Sequence, residues 1–181
     1  MADLSRVLAL IVDDNHYMRT IVSAMLRSLG ITNIREASDG AEAMEMVRDW
    51  RPDVILCDIV MEHLDGIEFT RLIRTASDSP HPYVPIIMIT GHTDRDKVIS
   101  ARDAGVNELI AKPLTARALI DRLKAVLDSD RPWVKSPVYT GPCRRRRKLP
   151  NYDGPRRRAS DKIEQALPEA NTEGDIDTVS V

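Results

Sequence analysis

Five side chains in this 181-residue chain have types and positions that could do chemistry together: Asp13, Asp14, Asp58, Thr90 and Lys112. Each stands at the end of an apolar run. Val7-Leu8-Ala9-Leu10-Ile11-Val12 leads into the acidic pair, and Val54-Ile55-Leu56-Cys57 leads into Asp58. Ile86-Ile87-Met88-Ile89 leads into Thr90, and Glu108-Leu109-Ile110-Ala111 into Lys112. A carboxylate set into an apolar strand is costly unless it is paired or binds a cation. Three gathered carboxylates repel by about 4 kcal/mol per close pair at an effective dielectric near 20, so a cation must join them if all are to stay ionised. An oxygen-only donor set without His or Cys suits Mg²⁺ or Mn²⁺ rather than zinc. A lysine ammonium and a threonine hydroxyl beside such an ion can stabilise the equatorial oxygens of a phosphoryl group in transfer. Asp58 stands alone on its strand and is the natural nucleophile, giving an aspartyl phosphate.

Those residues meet only if the apolar runs are neighbouring parallel strands. Val54 to Cys57 and then Ile59 show no polar alternation, the pattern of a strand buried on both faces. Between the runs lie helical patterns. Met18, Ile21, Val22, Met25 and Leu29 share one predicted helix face, with Gly30 suited to the position just past its end. Residues 34–37 predict a short second strand. Asp39 predicts a helix cap, followed by Ala43, Met44, Val47 and Trp50 on the buried side and closed by Pro52. A third helix runs through Ile67, Leu72 and Ile73, and the turn residues of 77–82 predict a loop. Thr93-x-x-Asp96 predicts the start of a fourth helix that stops at Gly105. Thr115 opens a fifth, with Leu119, Ile120, Leu123, Val126 and Leu127 inward. This alternation predicts an α/β fold, a doubly wound five-stranded parallel sheet with right-handed crossovers. Its carboxyl-end rim would carry all five chemical residues, where open α/β sheets bind ligands.

This set resembles the receiver domain of two-component response regulators over residues 5–128. It does so through Asp13-Asp14, Asp58, Thr90 and Lys112-Pro113, with Gly66 and Gly105 also in register. The resemblance implies the flavodoxin-like (βα)5 receiver fold and a phosphoryl group accepted on Asp58 from a histidine kinase or histidine phosphotransfer protein. It implies Mg²⁺ held by Asp14, Asp58 and the Val60 carbonyl, with Asp13 acting mainly through water. Thr90 and Lys112 would contact the phosphoryl group, and Lys112-Pro113 would be cis. The chain would be a phosphoacceptor with self-catalysed transfer and at most slow autodephosphorylation. Its output would be a protein contact around the fourth helix, fifth strand and fifth helix. Two features depart from the family pattern. Leu109 stands where an aromatic switch residue is usual, and Val60 and His92 hold the positions that tune dephosphorylation. A Mg²⁺-dependent phosphohydrolase needs an Asp two residues after the nucleophile, and Val60 argues against that class.

Composition bounds the rest. With 43% hydrophobic but 4% aromatic residues, the core must be aliphatic. No apolar run reaches the roughly 18 residues that span a membrane, and residues 1–6 lack a secretory pattern, so a cytoplasmic location is expected. Cys57 and Cys143 give neither a disulfide framework nor a metal spacing. Charge is divided along the chain. Residues 1–130 hold 15 basic and 21 acidic side chains, residues 131–162 hold 11 and 2, and residues 163–181 hold 0 and 5. Residues 129–181 carry six of eleven prolines and predict a disordered Pro/Arg-rich tail. Inside it Tyr139-Thr140-Gly141-Pro142 and Tyr152-Asp153-Gly154-Pro155 each precede an arginine cluster. Such a tail suits an anionic partner, and an adaptor binding nucleic acid or an acidic protein, with the receiver as scaffold, is the rival reading.

Overall fold

The apolar runs become strands of one parallel sheet. The structure is a computed structural model describing residues 4–91, 95–129, 131–136, 139–144 and 162–164. In chain order the elements are β1 (Leu8–Val12), α1 (His16–Ser28), β2 (Asn33–Ala37), α2 (Gly40–Trp50), β3 (Val54–Asp58) and α3 (Gly66–Thr75). There follow β4 (Ile86–Thr90), α4 (Arg95–Ala104), β5 (Glu108–Ala111) and α5 (Ala116–Leu127). The sheet order is β2-β1-β3-β4-β5, all parallel. The predicted doubly wound architecture is therefore present.

Alternating side chains divide the core between the two sheet faces. Ala9, Ile11, Val54, Leu56, Ile87 and Ile89 pack with α1 and α5, while Leu10, Val12, Ile55, Cys57 and Ile86 pack with α2 and α3. Because β1, β3 and β4 are covered on both faces, their residues cannot alternate with polar ones. Local caps fix where the helices begin. Asp39 accepts N–H bonds from Ala41 and Glu42, and Thr115 accepts one from Ala118, as their positions predict. Asn15 and Asp65 cap α1 and α3 in the same way. The Thr93 cap lies outside the described residues.

Two helix faces differ from expectation. On α1 the buried residues are Val22, Ser23 and Leu26, whereas Ile21 is 46% exposed. On α3 Phe69 and Ile73 are buried and Leu72 is 42% exposed. In each case the apolar stripe is wider than the face the sheet covers.

The segment after α5 differs most. Residues 131–136 and 139–144, expected to lack structure, form β6 (Trp133–Ser136) and β7 (Tyr139–Pro142), antiparallel to each other, and β8 (Lys162–Glu164) pairs with the other edge of β6. Docking, not periodicity, orders this hairpin: Trp133 and Tyr139 are each 8% exposed. Arg74 of α3 lies beneath it, its guanidinium carbon 4.9 Å from the Trp133 ring centroid. That guanidinium donates to Gly105 O, Pro82 O, Val84 O and Asn107 Oδ1 at 2.8–3.1 Å. Burial pulls its pKa down to about 9, so it still carries its charge at neutral pH. Gly105, at φ +98°, admits the hairpin because it has no side chain; a Cβ there would collide with the Thr140 carbonyl.

Candidate functional site

At the carboxyl ends of β1, β3, β4 and β5 the fold brings all of the predicted polar residues to one rim. Carboxylate oxygens of Asp13, Asp14 and Asp58 lie within 4.8 Å of one another. Asp13 and Asp58 are 3% and 9% exposed, while Asp14 faces solvent. Lys112 reaches across from the end of β5 and places Nζ 3.1 Å from Asp58 Oδ2 and 3.7 Å from Asp13 Oδ2. Thr90 is buried at the end of β4, in register with Ala111, and its carbonyl accepts the Lys112 N–H at 2.7 Å. Val60 lies just past β3 and is 48% exposed. The Lys112-Pro113 peptide is cis, as the resemblance implied. His92 lies outside the described residues.

Backbone groups hold the two buried acids in place. Asp58 Oδ1 accepts from Ile59 N at 2.9 Å, and Asp13 Oδ1 accepts from Asn15 N at 2.8 Å. Burial raises the Asp13 pKa, with the neighbouring Asp58 and Asp14 charges adding to the rise; the Asn15 N–H and Lys112 oppose it. The same burial pushes the Cys57 thiol well up, which makes this side chain packing rather than a nucleophile. Asp58 is thus the buried, rim-facing end of a strand whose other residues are all buried.

Two supporting residues, Arg19 and Asn15, escaped the sequence reading, and a third, Gly66, was noted there only for its register. Arg19 of α1 donates to the Asp13 carbonyl at 2.7 Å and pairs with Glu36 at 3.4 Å, tying the acidic turn to β2. Its place one turn into the helix after an acidic pair was the available signal. Asn15 caps α1 while its own N–H holds Asp13, a double use that Asp-Asp-Asn before a helix can suggest. Gly66 seats the start of α3 against β3: its N–H bonds Ile59 O at 3.0 Å, and a Cβ would collide with the Asp58 carbonyl.

The rim is therefore an oxygen-rich acidic cluster with one lysine and one threonine, open on the Asp14 side. The donor set fits a hard divalent cation: three carboxylates and no nitrogen or sulfur ligand among the described residues.

Comparison with known proteins points the same way. Residues 9–124 match the response regulator receiver domain. The chain is 37% identical over 119 residues to the chemotaxis protein CheY of Pseudomonas aeruginosa, covering 66% of this chain and 94% of that protein. It is 39% identical to CheY-3 of Vibrio cholerae, covering 66% and 90%. Among solved structures it is similar to the receiver domain of a sensor histidine kinase from Pseudomonas aeruginosa, which holds a magnesium ion in its active site cleft. There the TM-score is 0.62 at 34% identity, covering 68% of this chain and 98% of that one. Chemotaxis protein CheY4 of Vibrio cholerae gives a TM-score of 0.62 at 31% identity, covering 67% and 98%.

Proposed function

The chain belongs to the response regulator receiver family, and from that membership we propose that it accepts a phosphoryl group on Asp58 from a histidine kinase or histidine phosphotransfer protein. The observation that supports this most is the placing of Asp58 at 9% exposure, between two further carboxylates and the Lys112 ammonium. In the transfer an Asp58 carboxylate oxygen attacks phosphorus, the bond from phosphorus to the donor imidazole nitrogen breaks, and the electron pair leaves on that nitrogen. An acyl phosphate remains on Asp58.

Asp13, Asp14, Asp58 and the Val60 carbonyl are the groups that would hold Mg²⁺. A bound Mg²⁺ would neutralise the cluster and the charge developing on the phosphoryl oxygens. Lys112, now on Asp58 Oδ2 and near Asp13, carries the positive charge that would follow the phosphoryl oxygens. The Ile59 N–H keeps Oδ1 fixed, so the carboxylate plane is set before the donor arrives. Thr90, at the rim end of β4, would donate its hydroxyl to a phosphoryl oxygen and link the modified site to the start of α4.

In this reading the protein acts in the cytoplasm as a switch, its output a contact with a downstream protein and not turnover of a substrate. The basic residues beyond β7 would supply part of that contact; an adaptor for an anionic partner is the second reading, favoured by the hairpin that anchors Arg144 beside Asp103. Acetyl phosphate is the direct test. Labelling should require Mg²⁺ and be absent from Asp58→Ala; Mg²⁺-independent labelling, or labelling that survives the substitution, would refute the assignment.

A further inference from the structure

We propose that the β6–β7 hairpin is a clamp whose grip on α4 and β5 responds to the state of Asp58, so that the C-terminal segment is itself an output of the receiver. This rests on the phosphoacceptor reading and adds a route from the site to the tail.

The route is visible in which elements the hairpin holds. Arg144 pairs with Asp103 in the last turn of α4 at 3.1 Å. Arg131, just before β6, donates to Asn107 O at 2.9 Å and to Glu108 Oε1 at 3.0 Å, at the first residue of β5. Trp133 covers Arg74 of α3. The hairpin thus grips α3, α4 and β5 together at the pole opposite the acidic rim. Two of those elements lead directly from the rim. The chain leaves Thr90 to enter α4, and β5 runs only from Glu108 to Ala111 before Lys112 reaches Asp58. Any shift of α4 against β5 changes the separation of Asp103 and Glu108, which the hairpin spans through Arg144 and Arg131.

The interface has the character of one that can let go. Among the described residues, the two buried side-chain nitrogens without a hydrogen-bond partner, Trp133 Nε1 and Arg144 Nε, both belong to it. Buried unpaired donors weaken a contact, and weakly held elements are the ones that move in switching. A cavity of about 160 Å³ remains between α4, β5 and the hairpin, lined by Val98, Arg102, Leu109, Tyr139 and Arg144 among others. It leaves α4 and Leu109 room to shift without a clash. Tyr139 keeps the hairpin itself intact: its hydroxyl donates to Pro142 O at 2.7 Å and Arg144 stacks 4.0 Å from its ring centroid. Release would therefore move the hairpin as a unit.

The test uses the full chain with Mg²⁺ and beryllofluoride, a phosphoryl mimic, and reads Trp133 fluorescence at the hairpin and amide hydrogen exchange at the rim. We expect Trp133, 8% exposed against the body and followed by its fluorescence in a Trp50→Phe chain, to shift to a solvent-exposed emission when the mimic binds, with no shift when Asp58→Ala is added. Coupling is reciprocal, so Asp103→Asn and, separately, Arg144→Gln should each change the apparent beryllofluoride affinity threefold or more. Altered exchange at Ile59 and Gly91 with an unaltered hairpin would overturn the clamp while leaving the phosphoacceptor reading intact. No response at Ile59 or Gly91 would overturn both.

Discussion

Arg74 and Trp133 stack across the junction between the receiver body and its C-terminal segment, with 4.9 Å between guanidinium carbon and ring centroid. A charged residue of α3 is thus shielded by a side chain that lies 59 positions further on. The stacking makes the hairpin part of the folded body and gives Trp133 a measurable energetic role. Trp133→Ala should lower unfolding stability by about 3 kcal/mol, the usual cost of deleting a buried large aromatic. Urea denaturation would measure it, and a change below about 0.5 kcal/mol would show a surface contact of no consequence.

Gly66 sets a second expectation. A Cβ at this position would run into the Asp58 carbonyl, and the neighbouring Cys57 Sγ would lie only 3.0 Å away. Gly66→Ala must push α3 off β3. It should cost about 2–3 kcal/mol, within the range for overpacked positions, and weaken Mg²⁺ binding by displacing the loop that carries Val60. Wild-type Mg²⁺ affinity in a folded Gly66→Ala protein would show that the loop position is not set by this contact.

The acidic cluster predicts an unusual pH dependence for Mg²⁺-free protein. Asp13 has a raised folded-state pKa, chiefly through burial, so its ionised form disfavours folding. Its cost is present at neutral pH and is relieved as pH falls through the raised value towards 3.8, opposite to a carboxylate stabilised by its partners. Asp13→Asn should therefore be more stable than wild type at pH 7, and the two should converge as pH drops towards 4. Thermal unfolding across that range would check the sign. A variant less stable at pH 7 would contradict it.

Magnesium should reverse the penalty. At a free concentration 100 times its dissociation constant, a ligand bound only by the folded state stabilises it by about 2.7 kcal/mol. Wild type should gain this in unfolding free energy, while Asp58→Ala and Asp14→Ala should gain little. Equal gains in all three would place the ion elsewhere.

The parallel sheet and its rim were legible in the sequence because each strand is a short apolar run ending on the residue that does chemistry. Asp58, Thr90 and Lys112 needed only the strand order to meet. The hairpin was not legible. Trp133 to Ser136 and Tyr139 to Pro142 contain no repeating apolar pattern, and their order depends on Arg74 and Gly105, residues about 30 to 70 positions earlier. Arg74 itself reads as a solvated helix position, since its role exists only in the tertiary contact. On α1, Ile21 and Leu26 both fit an apolar stripe; which of them faces the sheet is decided by the phase set at the Asn15 cap.

Locating the phosphoryl group on the chain decides whether Asp58 is the phosphoacceptor. The chain would be phosphorylated with acetyl phosphate and Mg²⁺, then reduced with borohydride, which converts an acyl phosphate on aspartate to homoserine. Peptide mass spectrometry should find that conversion at Asp58 alone, dependent on Mg²⁺ and lost when EDTA is added first. Conversion at Asp13 or Asp14, or an unmodified Asp58 in labelled protein, would show that Asp58 is not the phosphoacceptor.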